Sequence, residues 1–387
     1  MTLFRAKALR LAVAVAVAFG LSQALMPAAY AAVTNVPDRT ASFNGRVRAV
    51  AYHNGVIYVG GAFTAAIQNG QSIPRNHVAA IDERTGTVLP WNPNTNGEVW
   101  ALAVTDSATY LGGSFGRVGG AAHANIASVA TAGTGSVHAQ FTASATSGGV
   151  KALTVNGSSV YAGGSFKVAD GRSKPFLAAF DSQTGGLRTG FNAVANDTVR
   201  ALSAANGRVY VGGEFTSMNG LRRGRYLAAL DPTTGALATG WNSPVGYRIM
   251  NIAPTSTHVY AAGDGSGGHL VAASLSGAAQ WVVTADGGFQ AVTVLGGTIY
   301  AGGHFGNVCS TSRTGDHGVC LDGQVKRQKM AAFTVNGTMT SWAPQANSPL
   351  GTFSMAADEA TGRVAAGGAF TAFGFGSISQ PYFAQFG

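Results

Sequence analysis

The sequence predicts an all-β fold, a seven-bladed β-propeller of four-stranded blades closed into a ring. Three observations carry that expectation: a glycine-rich strand motif recurs at a near-constant interval, tight-turn dipeptides punctuate each interval, and one aromatic residue ends each unit. Tyr58-Val59-Gly60-Gly61-Ala62-Phe63 returns at 110–115, 161–166, 210–215 and 300–305, with degenerate copies at 260–265 and 365–370. The outermost Gly-Gly pairs begin at 60 and 367, and six intervals between them give about 51 residues each, close to the period of a propeller blade.

Each unit reads as strands a to d. Strand a is a Val-x-Ala-Leu pattern beginning at Val47, Val99, Val150, Val199, Ile249, Phe289 and Thr352. Asn54-Gly55, Asn156-Gly157 and Asn206-Gly207 then supply the two positive-φ residues that a type I′ hairpin turn requires. Strand b is the glycine-rich motif, where glycine marks a close backbone approach. Strand c is of the Leu-Ala-Ala-Leu-Asp type at 78–82, 177–181, 227–231 and 330–333, followed in the first three by a Thr-Gly turn. Strand d ends in Trp91, Phe141, Phe191, Trp241, Trp281 or Trp342. Seven units carry only six of these aromatics, and the missing one matches Phe43, upstream of the first unit. Residues 38–45 are therefore expected to complete the blade of 350–387 within a single domain of 32–387, leaving no long unpaired edge. A solenoid would not need such a permuted repeat.

Gly-Gly-x-Phe followed by Leu227-Ala228-Ala229-Leu230-Asp231-Pro232-Thr233-Thr234-Gly235-Ala236-Leu237 and Trp241-Asn242 resembles the delta-60-type β-propeller repeats of secreted bacterial proteins. Units 149–192 and 198–242 match best, and units five and seven depart from the pattern. The resemblance implies a propeller and export. It implies no assigned activity and no set of catalytic residues.

Residues 1–31 read as a secretory signal: Arg5, Lys7 and Arg10 precede an apolar run over 11–26 and a small-residue stretch cut after Ala31. The run is shorter than the roughly 20 residues of a membrane span. Losing those three cations lowers the formal charge from +9 to +6. With 11% charged residues the chain is neither a coiled coil nor a charged disordered tail, and its 55 glycines follow no Gly-X-Y period. Cys309 and Cys320, the only cysteines, are expected to form one disulfide pinning a long b–c loop. The expected product is a secreted, extracellular monomer, free or associated with the cell wall, with no membrane span and no cofactor or metal.

Most catalytic motif matches dissolve in this frame. Ser114, within Gly112-Gly113-Ser114-Phe115-Gly116, sits in a repeated strand and not on the strand-to-helix turn of a nucleophile elbow. Gly263-Asp264-Gly265-Ser266-Gly267-Gly268 lacks the βαβ surroundings of a dinucleotide site. The variable position of Gly-Gly-x-Phe becomes ionisable in three successive units, at Glu214, Asp264 and His304. That arc is the one candidate for acid–base or metal chemistry, although outward displacement of strand b spreads its members apart.

Charge sorts by face. The b–c loops and the starts of strand a share one face of a propeller, and most cations fall there. Lys167, Arg172, Lys174, Arg222, Arg223, Arg225, Lys326, Arg327 and Lys329 lie on b–c loops, while Arg48, Lys151 and Arg200 surround the channel mouth with Trp100 and Phe353 at equivalent places. One-sided positive charge attracts anionic partners. The leading expectation is a non-catalytic propeller that binds a cell-wall polymer, an acidic polysaccharide or an acidic protein surface. Nucleic acid is disfavoured because no basic stripe is interleaved with aromatics. The rivals are a lyase or glycoside hydrolase with its site over the channel, and a structural protein-interaction module.

Overall fold

The structure is a computed structural model and describes residues 33–387; the signal segment expected at 1–31 lies outside the described residues. It is all-β, and every unit builds the same antiparallel sheet in the order a-b-c. In unit one these are Val47–His53, Val56–Gly61 and Val78–Asp82. Units two to four repeat the plan with Glu98–Val104, Ala108–Ser114 and Ile126–Ala130; Val150–Asn156, Ser159–Gly164 and Leu177–Asp181; and Val199–Ala205, Arg208–Gly213 and Leu227–Leu230. Units five to seven follow with Arg248–Pro254, His258–Gly265 and Gly267–Ser274; Phe289–Leu295, Thr298–Gly303 and Met330–Phe333; and Thr352–Asp358, Arg363–Gly368 and Phe383–Phe386. Strand a of each unit packs beside strand a of the next, and that of the last packs against that of the first.

The Gly-Gly pair is what lets the sheets approach. A Cβ on Gly163 would lie 2.3 Å from Val199 of the following unit, and one on Gly164 would lie 2.1 Å from the Gly149 carbonyl of its own strand a. Gly367 repeats the first contact across the ends of the chain, 2.4 Å from Val47. The motif tyrosine links neighbours as well: Tyr58, Tyr110 and Tyr161 donate to the carbonyls of Thr131, Ser182 and Pro232 in the next unit, at 2.9, 2.8 and 2.6 Å. Each of those tyrosine rings also packs on the terminal aromatic of its own unit, as Tyr58 does on Trp91 at 5.1 Å and Tyr161 on Phe191 at 5.2 Å.

The expected fourth strand is mostly absent, and the sheets are mostly three-stranded. Among the described residues a fourth strand follows strand c in unit five alone, where Ala279–Ala285 joins the a-b-c sheet and, through Ala285↔Val308, leads into the hairpin Asn307–Cys309 with Gln324–Lys326 of unit six. Elsewhere the segment after strand c meets it at one bridge, as in Phe180↔Leu187 and Leu230↔Leu237. The physical reason is a second reversal: Phe191 N donates to Arg188 O at 3.1 Å, turning the aromatic inward before a ladder can lengthen. Phe191 and Trp241 are each only 1% exposed, so these residues mark a packing position and not a strand end.

The b–c connections, expected as loops, fold into hairpins in most units, such as Ala65–Gln68 with Gln71–Pro74 and Val168–Ala169 with Arg172–Ser173. A repeated clamp orders them. Asn44 Oδ1 accepts from the N–H groups of Thr64 and Ala65, and Asn96, Asn196, Asp286 and Asn347 do the same in their units. The N-terminal segment touches both ends of the ring. Asp38 N donates to Gln385 O at 2.7 Å in the last strand, whereas its short strand, Ser42–Phe43, pairs with Ala65–Gln68 of unit one. Cys309 and Cys320 are disulfide-bonded. Among the described residues no helix is long and apolar enough to cross a membrane.

Candidate binding site

In every unit the a–b ladder skips one residue of strand a: Arg48, Trp100, Lys151, Arg200, Met250, Gln290 and Phe353. A bulged residue is left out of the ladder and its side chain is re-aimed. All seven side chains, with Glu98, line one cavity of about 280 Å³. The bulge thus converts a strand position into a ring of inward groups, one per unit. The five channel residues expected from the sequence are all here. Met250 and Gln290 were missed, because chemistry drew attention where position alone was needed. Arg248, the first residue of strand a in unit five, precedes the bulge and forms an ion pair with Asp264 at 2.6 Å.

The ring is two-sided. Units one to four contribute Arg48, Trp100, Lys151 and Arg200, and units five to seven contribute Met250, Gln290 and Phe353. Lys151 Nζ lies 4.4 Å from the Trp100 ring centroid, and the Arg48 guanidinium lies 4.5 Å from that of Phe353. Gly149 makes room for Trp100, since a Cβ there would be 2.5 Å from the ring. Trp100 Nε1 donates to the Glu98 carboxylate at 2.8 Å, and Arg200 is paired with Glu214 at 2.6 Å. The ion pairs of this face involve Arg200, Arg248 and Arg313 and, among the described residues, leave Arg48 and Lys151 unpaired. Arg48 Nε is buried without a hydrogen-bond partner. Burial holds the Arg48 guanidinium below its ordinary value, and burial followed by the nearby Arg200 charge does the same to Lys151. An anion placed between them would oppose both effects.

The loop cations divide. Lys174 Nζ donates to Phe191 O at 2.8 Å, Arg223 to Trp241 O at 2.7 Å, Arg327 to Thr340 O at 3.0 Å and Lys329 to His304 O at 2.9 Å. Arg225 Nε reaches Val245 O at 3.3 Å. These side chains hold backbone carbonyls, Lys329 one just after strand b of its own unit and the others ones that follow strand c, so much of the basic face is scaffold. Lys167 lies over the Phe176 ring at 3.5 Å, and Lys326 lies 5.1 Å from that of Phe375. Arg172 and Arg222 are exposed.

The Glu214–Asp264–His304 arc is committed to local partners. Glu214 and Asp264 are held by Arg200 and Arg248, and His304 Nε2 accepts from Gly288 N at 3.2 Å. Among the described residues no group of three or more His, Cys, Asp or Glu side chains could hold a metal ion.

No family model matches the chain, and no curated protein matches it. Among solved structures, the WD40 β-propeller domain of Doa1 is similar over 90% of this chain and 95% of its own, with a TM-score of 0.57 and 11% identity. The computationally designed Ika8 protein aligns over 89% of this chain and 98% of its own, with a TM-score of 0.48 and 14% identity. The first likeness identifies the fold as a β-propeller.

Proposed function

We propose that the chain is an exported propeller of seven blades, of the delta-60-repeat type, in which residues 38–45 complete the blade of 350–387 once 1–31 are removed. It acts without catalysis, as a monomer, and binds an anionic extracellular partner at the channel mouth. The observation that carries this reading is the bulge ring: seven equivalent positions face one cavity, and three of them, on one side, are cations. Among the described residues Arg48 and Lys151 form no ion pair, the Glu98 and Glu214 charges acting on them only from a distance, and charge-assisted hydrogen bonds to an anion would satisfy them. The loop cations serve a lesser part than the sequence alone implied, because several already hold carbonyls.

The test compares wild type with an Arg48→Gln/Lys151→Met variant, which keeps side-chain length and spares the Arg200–Glu214 pair. Binding to polygalacturonate, poly-glutamate and neutral dextran is measured at low and high salt. The wild type should bind an anionic polymer in a salt-sensitive manner, and the double variant should lose at least about tenfold, the loss of one or two charged hydrogen bonds. An Arg222→Glu variant should bind nearly as well as wild type. Equal binding by the double variant, or loss only with Arg222→Glu, would overturn the channel-mouth assignment.

A further inference from the structure

The tips of the b–c connections expose one residue that the rest of the fold does not explain. In units one, two, three and four the tip is a two-residue turn with positive φ at both positions: Asn69-Gly70, Gly119-Gly120, Asp170-Gly171 and Asn219-Gly220. Asn, Asp and Gly are the residues that tolerate this conformation. Unit seven instead has Gly374-Phe375-Gly376 between the paired residues Phe373 and Ile378, and Phe375 stands at φ 59°. A bulky aromatic in the left-handed region is uncommon; Phe176, Tyr226 and Tyr382 also adopt it, but at a repeated, buried or half-buried position just before strand c, whereas Phe375 stands at an exposed tip. Its side chain is also 66% exposed, the most exposed large apolar group among the described residues. The residue is thus disfavoured twice, by backbone and by solvent, at a position where Asn or Gly would relieve both.

Its neighbourhood is a surface and not a solitary side chain. Phe375 forms the lip of a cavity of about 430 Å³ lined by Gln328, Lys329, Asn347 and Ser348. Lys326 Nζ lies over its ring, and the adjoining Val325 is exposed. The loop that carries Lys326 is tied down at its other end by the Cys309–Cys320 disulfide. Rigid presentation of apolar groups lowers the entropic cost of docking. An exposed aromatic and an exposed valine beside Lys326, which forms no ion pair among the described residues, call for apolar groups next to a carboxylate.

The geometry points to a protein-docking surface on units six and seven, with Phe375 as its anchor and a partner segment that carries acidic and apolar side chains together. This deepens the proposed function by naming a protein as the anionic partner. The channel-mouth test with the Arg48/Lys151 variant stands or falls without Phe375.

The experiment uses the folded chain and three probes: a short synthetic peptide alternating Glu and Leu, poly-glutamate of equal length, and polygalacturonate. The variants are Phe375→Asn and Lys326→Glu. Phe375→Asn should melt at or above the wild-type temperature, because Asn accepts the left-handed conformation. It should nevertheless lose about tenfold or more in affinity for the alternating peptide, the loss typical of an anchor residue. Lys326→Glu should weaken the same peptide, and poly-glutamate should bind wild type and Phe375→Asn alike. A marked fall in melting temperature for Phe375→Asn would assign the residue to the scaffold and overturn the proposal. Absence of binding by wild type, or equal binding of the alternating peptide by both proteins, would overturn it too. So would polygalacturonate binding that disappears with Phe375, or wild-type self-association in sedimentation that the variant abolishes.

Discussion

At the scale of single residues, the repeat motif is written by sterics before chemistry. The two glycines of strand b face different obstacles, a side chain of the next sheet and a carbonyl of their own. Gly164 is the harsher case, because its missing Cβ would lie 2.1 Å from a backbone oxygen that cannot swing away. Gly164→Ala should therefore cost about 1–3 kcal/mol, the range of overpacked cores. Gly190→Ala is the matched control: nothing lies within 4 Å of a Cβ there. It should change stability by no more than about 0.5 kcal/mol. Urea unfolding of both variants checks the pair, and equal destabilisation would refute a steric account of the motif.

At the scale of elements, the Asp-x-x-Thr-Gly turn after strand c is stabilised by its carboxylate. Asp181 Oδ1 accepts from Gln183 N, Thr184 N and Thr184 Oγ1, and Asp82 and Asp231 act likewise in their turns. Hydrogen bonding from the turn threonine is the main influence that holds all three carboxyls below the usual aspartate value. Groups depressed on folding stabilise the fold above the unfolded value, near 3.9, and that support is lost as pH falls through the folded values. Stability should thus decline below about pH 4, and an Asp82/Asp181/Asp231→Ala variant should show a flatter acid limb. Each turn contributes well under ~1 kcal/mol, since water screens exposed carboxylates. Urea midpoints across the acid range read the difference, and parallel limbs would refute it. These turns were legible in the sequence, as were strands a to c, because apolar alternation and Gly-containing dipeptides report local backbone directly. Strand d was misread because an aromatic at a fixed spacing looks the same whether it ends a strand or fills a core. The Asn/Asp clamp was readable in principle, for Asn44, Asn96, Asn196 and Asp286 each stand three residues before strand a. The channel ring was found only where the bulged residue was charged or aromatic. Counting cations by face could not separate Lys151, which lies over the Trp100 ring in the channel and forms no ion pair among the described residues, from Lys174, which binds a carbonyl.

At the scale of the whole molecule, a ring made from one chain must have a seam, and here the seam uses different chemistry. Tyr58, Tyr110 and Tyr161 tie the first three units to the carbonyls of Thr131, Ser182 and Pro232, Tyr210 Oη is buried without a hydrogen-bond partner, and unit seven has Ala365 at the tyrosine position. The equivalent carbonyl in unit one, that of Glu83, accepts instead from Arg363 at 2.7 Å and from Gln385 at 3.1 Å. The Glu83 side chain is 2% exposed; Thr361 donates to one carboxylate oxygen, and the other has no partner. Burial pushes the Glu83 carboxyl up; the Thr361 hydrogen bond opposes that shift, and the Asp358 charge adds to it. Arg363 faces the same group and lies 3.9 Å from Asp38, whose Oδ2 is also buried and without a hydrogen-bond partner. A carboxyl raised on folding lends stability below its unfolded value, near 4.3, and that contribution is lost as pH climbs through the folded value. The seam is accordingly weaker at neutral pH than in mild acid, the reverse of the aspartate turns. Glu83→Gln keeps an acceptor for Thr361, gives Asp358 a donor and removes the buried charge. It should raise stability at pH 7 by something on the order of 1 kcal/mol, the scale of an unsatisfied buried polar group. The gain over wild type should shrink as pH is lowered toward about 4, where wild-type Glu83 carries its own proton. Thermal melts of the two proteins across that interval decide the matter: a variant no more stable than wild type at pH 7, or a gain independent of pH, would mean that the buried carboxylate does not weaken the closure of the ring.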